Sequence, residues 1–224
     1  MNYKLIVLLL IAQIGFSQEK ITKNLGDFDE IKVLDKISVQ LIPSNENRIE
    51  ISGKNNSDVE IINKNGELKI RMPLDKFLKG DDVTALLYFK KIESVEASEG
   101  SYISSEKTFK QISLAINSKT GSHIKLNLEV QKVKVRSASG GIVELEGTAK
   151  NQEVIISTGG ILKAKDLQTA QTTVTVSTGG NADIRASELV DAKVKAGGVI
   201  TIFGKPKQIN QKTVLGGTIV ESNR

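Results

Sequence analysis

The chain has 224 residues and a formal net charge of +5, and its lysines and acidic residues are interleaved along the sequence. It contains no cysteine, which excludes disulfide bonds and a lipid anchor attached through cysteine. Aromatic residues make up only 4% of the chain, and there is no basic stripe with aromatics to stack bases, so the composition argues against a nucleic-acid partner.

Residues 1–17 predict a cleaved secretory signal peptide. Lys4 precedes an apolar run from Leu5 to Ile14, and Gly15 and Ser17 place small residues at positions −3 and −1 of the predicted cleavage site. A membrane-spanning helix needs about twenty apolar residues, and this run is about half that long. We therefore expect an exported protein of the periplasm or the cell surface, not an integral membrane protein.

Residues 18–95 are rich in predicted strands but irregular. Alternating apolar and polar segments are divided by turn formers, of which the Asn65-Gly66 pair is a strong tight-turn signal. Only Pro73–Asp82 indicates a short helix or a loop. This part is either the irregular start of the repeat described next or a small sheet that caps it; the absence of a linker favours the first interpretation.

Residues 96–224 contain glycine corners about every nineteen residues. The successive spacings, counted between the first glycines, are 21, 19, 19, 20, 18 and 19 residues. Such a period indicates a repeat architecture in which each repeat is one supersecondary unit. The corners fall at Gly100, Gly121, Gly140-Gly141, Gly159-Gly160, Gly179-Gly180, Gly197-Gly198 and Gly216-Gly217.

The residues after each corner alternate between apolar and polar. The third and fifth positions after the first glycine are apolar and the fourth is polar, which predicts a strand with one buried face. Strand, corner, strand and turn, repeated in this way, predict an all-β fold: a parallel β-solenoid whose stacked coils share one core. The third positions are Ile124, Val143, Leu162, Ala182, Ile200 and Ile219.

Two outward columns are predicted, and the candidate contact surface is either the side that carries the first column or the second column itself. Lys125, Glu144, Lys163 and Asp183 would lie side by side with alternating sign, an arrangement that stabilises coil register. The second column is a candidate contact surface because several members are apolar. It is either exposed for docking or covered by loops or the N-terminal part. Its members are Tyr102, His123, Ile142, Ile161, Asn181, Val199 and Thr218.

The order of motifs in the chain resembles a known family. "FDEIKV" and "ISVQLI" within Phe28–Ile42 are followed by "RIEISGK" at Arg48–Lys54, "NGELKIRM" at Asn65–Met72 and the ladder of glycine corners. This order resembles the head-GIN domain family of exported Bacteroidetes proteins, labelled autotransporter-adhesin heads. The resemblance implies a right-handed parallel β-helix-like fold and a periplasmic or surface setting. It supplies no catalytic residues.

The sequence predicts no catalytic residue, cofactor or metal ligand. His123 is the only histidine, and without cysteine or a second histidine a zinc or copper site is not expected. Each Gly-Gly pair precedes a strand instead of a helix, so the corners do not predict a phosphate site. An ice-binding rank is not expected either, because the threonines are confined to one coil: Thr172, Thr173, Thr175 and Thr178.

A polysaccharide lyase or glycosidase is the alternative that parallel β-helices invite. Glu144, Glu146 and Asp183 share a face, but Lys163 and Lys165 lie between them, and the chain has no tryptophan for a sugar site. The sequence therefore predicts an exported, non-enzymatic interaction or structural module of the bacterial envelope. Its expected partner is an envelope glycan or an envelope protein.

Overall fold

The computed structural model describes residues 20–222, and the predicted signal at residues 1–17 lies outside that range. The described residues are 67% strand and form a β-solenoid of about seven turns, so the predicted fold is confirmed. Short 3₁₀ turns at Asn56–Asp58 and Leu74–Lys76 are the only helical elements within the described range. The predicted helix or loop at Pro73–Asp82 is thus a loop that contains one such turn.

Seventeen strands form one continuous hydrogen-bonded sheet. Nine short strands come first: β1 Ile21–Asn24, β2 Glu30–Val33, β3 Ser38–Pro43, β4 Arg48–Gly53, β5 Glu60–Lys64, β6 Glu67–Arg71, β7 Val83–Phe89, β8 Ser94–Ala97 and β9 Tyr102–Ser104. The others are β10 Phe109–Lys119, β11 His123–Ala138, β12 Ile142–Ile156, β13 Ile161–Val176, β14 Asn181–Ala196, β15 Val199–Phe203, β16 Gln208–Leu215 and β17 Thr218–Glu221.

Strands β11 to β14 each run through most of one coil and pair in parallel with the next. Ile124 lies beside Val143, and Val143 lies beside Leu162, which is the predicted register. In β11 buried inward residues alternate with half-buried or exposed outward residues until Gln131 and Lys132, which are two consecutive exposed residues. The alternation shifts by one residue at this point, and the second flank of the coil begins there.

The glycine corners are tight turns in the left-handed region of the backbone. At one corner Thr158 has a φ of 48° and Gly159 a φ of 69°, as in a turn whose two central residues are both left-handed. Gly160 has a different role, because a Cβ there would lie 2.4 Å from the carbonyl oxygen of Ser137 in the neighbouring coil. Glycine at this position therefore permits the close stacking of corner on corner.

The N-terminal part extends both ladders of the solenoid in a different chain order. β2 lies between β6 and β8, and β3 lies between β7 and β9, all in parallel. The outermost parallel coil is therefore β6 and β7, although β2 and β3 precede them in sequence. Antiparallel strands finish this end: β5 pairs with β6, β4 with β7, and β1 with β4. This part is less regular, as predicted; the segment boundary at residue 95 stays a prediction.

One hydrophobic core runs through the whole stack, from Phe28 to Ile202. A few polar side chains lie inside it, and three of them are in contact through hydrogen bonds, although Gln152 Nε2 has no hydrogen-bond partner in the described part of the chain. Thr172 donates to Gln152 Oε1 at 3.3 Å and lies 2.8 Å from the hydroxyl of Thr169. The core is thus mainly aliphatic, with a short polar insertion in the coils formed by β12 and β13.

The last coil, β16 with β17, differs from those before it. Its inward positions include Gln211, Thr213 and Glu221, where the preceding coil has Ala192, Val194 and Ile202. Gln211 Nε2 donates a hydrogen bond to Glu221 Oε1 at 3.4 Å. The buried core therefore ends at the preceding coil, and Ile209 and Ile219 of the last described coil are only partly buried against it.

Candidate interaction face

The structure brings both predicted outward columns together on one face. Lys125, Glu144, Lys163 and Asp183 are successive lateral neighbours on β11 to β14, and they are called the charged ladder below. The second column is called the outer column. It is continuous across seven strands, with Tyr102, His123, Ile142, Ile161, Asn181, Val199 and Thr218 in register.

Glu144 is the centre of the charged ladder. Its carboxylate lies 2.8 Å from Lys163 Nζ on one side and 3.8 Å from Lys125 Nζ on the other. The hydrogen bond from Lys163 is the main reason why the pKa of Glu144 is lowered, and burial opposes it. Glu144 is therefore ionised at neutral pH and has two cationic neighbours, as the alternating sign of the column predicted.

His123 is half-buried next to Glu144, between the coil of Tyr102 and that of Ile142. The Tyr102 and His123 rings meet edge to face with centroids 5.2 Å apart. His123 Nε2 lies 3.4 Å from Glu144 Oε1, but it makes no hydrogen bond to any residue in the described part of the chain. Burial is the main cause of its lowered pKa, so the imidazole is neutral at pH 7. A neutral, poorly aligned imidazole gives no indication of catalysis.

A surface cavity of about 200 Å3 opens beside the charged ladder. It lies where the pairing of β12 with β13 is shifted by a β-bulge, so that Glu146 pairs with Asp166 instead of Lys165. Asn127 Nδ2 donates to Glu146 Oε1 at 3.3 Å. The cavity is lined by Lys125, Leu126, Glu144, Leu145, Glu146, Lys163, Lys165 and Asp166.

Asp166 is the residue of this face that sequence reasoning missed. The column alignment assumed coils of equal length, which places Lys165 beside Glu146. The coil between Gly159 and Gly179 is one residue longer than its neighbours on the N-terminal side, and that spacing was the available signal. The extra residue produces the bulge, and the bulge brings two carboxylates next to each other.

The outer column is accessible along its length. Tyr102, His123, Ile142 and Ile161 are half-buried, and from Asn181 onward the column is exposed. The N-terminal part does not cover it: Ser38 on β3 pairs with Tyr102, and Thr84 on β7 pairs with Ser38, so both strands continue the same column. The face is therefore longer than the repeat region alone predicted.

Other candidate chemistries find little support on the described surface. Within residues 20–222 no group of three or more histidine or acidic side chains is placed to hold a metal ion. Thr172 is buried, and Thr173 lies between Glu153 and Asp191, so the threonines form no rank across coils. No helix in that range combines the length and the apolar character that crossing a membrane requires.

Fold and face together define the class: an all-β parallel solenoid that presents one long mixed apolar and charged face. Residues 27–206 match the sequence profile of the family described as "Putative auto-transporter adhesin, head GIN domain". The chain belongs to that family, which confirms the resemblance seen in its motifs. No curated protein matches the chain.

Solved structures share this fold. A "putative adhesin" from Bacteroides fragilis is 22% identical and covers 92% of this chain and 98% of its own, with a TM-score of 0.82. A "putative adhesin" from Parabacteroides distasonis is 20% identical over the same shares, with a TM-score of 0.73. A "Putative lipid binding protein" from the same species is 16% identical, covers 93% and 98%, and has a TM-score of 0.70. The chain is thus similar to an adhesin-like module.

Proposed function

We propose that the chain is an exported, non-enzymatic interaction module that works at the bacterial envelope, in the periplasm or at the cell surface. The observation that carries this proposal is the outer column, which stays in register over seven strands beside the charged ladder. Apolar side chains with a polar rim are typical of a docking surface. The signal predicted at residues 1–17 supports export, and an envelope glycan or an envelope protein is the proposed partner.

The electrostatics of the face support binding more than catalysis. Glu144 is the most centrally placed carboxylate, and its lowered pKa keeps it ionised, whereas a glycosidase needs one carboxylic acid that stays protonated. Lys125 and Lys163, next to it, compete with any calcium ion for its oxygens. Binding requires only that the face be complementary to its partner, and the alternating charges supply such a pattern.

A polysaccharide-active enzyme is the alternative, and one observation favours it. The bulge pairs Glu146 with Asp166 at a cavity, and a pair of acidic residues is what glycoside hydrolysis uses. If this cavity is catalytic, the chain should degrade envelope polysaccharides. The conservative variants Glu146→Gln and Asp166→Asn should each abolish that turnover.

A pull-down from an envelope extract tests the binding proposal. Ile161→Lys places a charge in the middle of the outer column, and we expect it to lose partner capture. Ile155→Lys is the matched control, because Ile155 is also an outward isoleucine, 38% exposed, but lies on the other flank of the coil. Equal capture by both variants and by the wild type would show that the outer column is not the contact surface.

A turnover assay on the same polysaccharides separates the two functions. A lyase releases unsaturated sugars that absorb in the near ultraviolet, and a glycosidase releases reducing ends. We expect neither product from the wild type. Turnover that disappears in Glu146→Gln and Asp166→Asn would replace the binding proposal with the enzymatic one.

A further inference from the structure

A loop at the N-terminal end of the solenoid exposes two large apolar side chains. It spans residues 73–82, between β6 and β7, and is called the head loop. Leu74 is 81% exposed and Phe77 is 52% exposed. Ordered loops usually turn such side chains toward the core, because removing apolar surface from water is favourable.

The head loop is fixed in this exposed position from several sides. The buried carboxylate of Asp35 accepts hydrogen bonds from the backbone N–H of Met72 at 2.9 Å and of Leu78 at 3.2 Å. Gly80 N donates to the Asp35 carbonyl at 3.0 Å, and Lys76 pairs with Asp58 at 2.6 Å. These contacts hold the head loop in the conformation that exposes Leu74 and Phe77. Ordering the loop costs conformational entropy, and a contact made by the two exposed side chains would offset that cost.

The head loop stands at one end of the column of corners. Backbone hydrogen bonds link the corners: Lys36 N donates to Glu99 O, Gly100 N to Thr120 O, and the series continues to Gly159 N with Thr178 O. The next two coils are joined just past the corner, where Val199 N donates to Gly180 O, and at the far end Gly197 N donates to Leu215 O. The head loop is attached to the first corner, because Gly80 N donates a hydrogen bond to the carbonyl of Asp35, the residue before Lys36. One column therefore has the head loop at its first level and Leu215 at its last.

The far end of the column is apolar as well. Leu215 is 74% exposed and Val214 is 52% exposed; these two residues are called the tail corner. β16 and β17 are the last strands of their ladders within residues 20–222, so one side of each has unpaired backbone groups. A strand edge of this kind can accept another chain.

The two ends carry opposite charge. The head loop has three acidic residues and two lysines, and Lys76 is already paired with Asp58. The stretch 205–217, which leads into the tail corner, has three lysines and no acidic residue. Lys207 pairs with Glu188 at 2.9 Å. Complementary charge favours contact between unlike ends and disfavours contact between two tails.

We propose that copies of this chain associate head to tail: the head loop of one copy contacts the tail corner of the next, with the columns of corners in line. Such a contact is heterologous, because it joins two different surfaces. A heterologous contact that repeats along one axis does not close, so the product is a filament that grows with concentration. The binding face lies on the side of the coils and stays accessible in this assembly.

Sedimentation velocity of the purified chain over a concentration series tests the proposal. We expect the wild type to form a ladder of oligomers, and the head variant Leu74→Ser/Phe77→Ser to lose at least about tenfold in association. The tail variant Val214→Ser/Leu215→Ser should behave in the same way. Ile112→Ser is the matched control: Ile112 is 78% exposed on the side of a coil, and its replacement should change nothing. Circular dichroism verifies that each variant is folded.

Mixing the two defective variants gives the sharpest result. The tail variant keeps an intact head loop and the head variant keeps an intact tail corner, so an equimolar mixture should form dimers and stop there. High salt should weaken the wild-type oligomers, because part of the attraction is between exposed charges. A wild type that stays monomeric at every concentration would overturn the proposal. Dimers of the head variant alone would replace it with a tail-to-tail contact.

Discussion

Reversal of one charge in the charged ladder tests the stacking register most directly. In Lys163→Glu the ion pair with Glu144 at 2.8 Å is lost, and the new carboxylate lies between Glu144 and Asp183. Two lateral pairs are affected and three contributions change: the attraction to Glu144 disappears, and repulsions from Glu144 and from Asp183 appear. Lateral pairs are worth about 0.2–1 kcal/mol each, so the expected loss in the free energy of unfolding is about 1.5 kcal/mol.

The loss should be visible as a lower melting temperature. For a domain of this size each 1 kcal/mol lowers Tm by about 2–4 °C, so we expect a decrease of about 4 °C at low salt. The Lys163 side chain is 54% exposed, and added salt should therefore reduce the difference. Thermal unfolding followed by circular dichroism at two salt concentrations measures both effects.

Lys163→Gln is the control that separates the lost attraction from the new repulsion. It removes the ion pair without adding a charge, so it should lower Tm by about a third as much as Lys163→Glu. If Lys163→Glu melts at the wild-type temperature in low salt, or if Lys163→Gln is equally destabilised, the lateral alignment of these charges does not determine coil register.

Two further predictions concern the corners and the half-buried His123. Gly160→Ala should lower the free energy of unfolding by about 1–3 kcal/mol, because its Cβ would lie 2.4 Å from the Ser137 carbonyl oxygen. Gly159→Asn has free space around its Cβ and should lower it by less than about 1 kcal/mol. Urea unfolding of both variants measures the difference, and equal losses would contradict the prediction. The lowered pKa of His123 means that the unfolded chain binds a proton more readily, so stability should decrease as pH falls through about 6.5. Denaturant titrations at pH 7.5 and 5 should show a smaller decrease for His123→Gln, and parallel behaviour would refute the assignment.

Much of the fold could be predicted because the same glycine spacing and apolar–polar alternation recur in successive coils. The columns of Ile124 and of Lys125 have the register that the glycine spacing predicted. In a parallel stack, residues one repeat apart in the sequence lie side by side in adjacent coils. Alignment of the repeats therefore predicts which residues are in contact. The corners were also predictable, because each contains a glycine in the left-handed region that glycine favours, although the residue before it, such as Thr158, adopts the same region.

The N-terminal order could not be obtained from periodicity. β2 and β3 each have the alternation of a coil strand, but nothing in that alternation says that β6 and β7 stack outside them. The order is set by non-local contacts such as the Asp35 carboxylate, which accepts the N–H of Met72. Likewise, the pairing of Glu146 with Asp166 depends on a single extra residue in one coil. The candidate face was thus predictable in outline but not at its cavity.

The hydrogen bonds between corners make each coil a separate unit that can be added or removed as a whole. Each corner contacts only the one before and the one after, as in Gly140 with Thr158 and Gly159 with Thr178. Removal or insertion of one whole coil therefore leaves every remaining interface intact, while changing the distance between the two ends by about 4.8 Å. The length of the solenoid can therefore change during evolution in equal steps. A gain or loss of about nineteen residues, which is one coil, is the smallest step that keeps the hydrophobic core continuous.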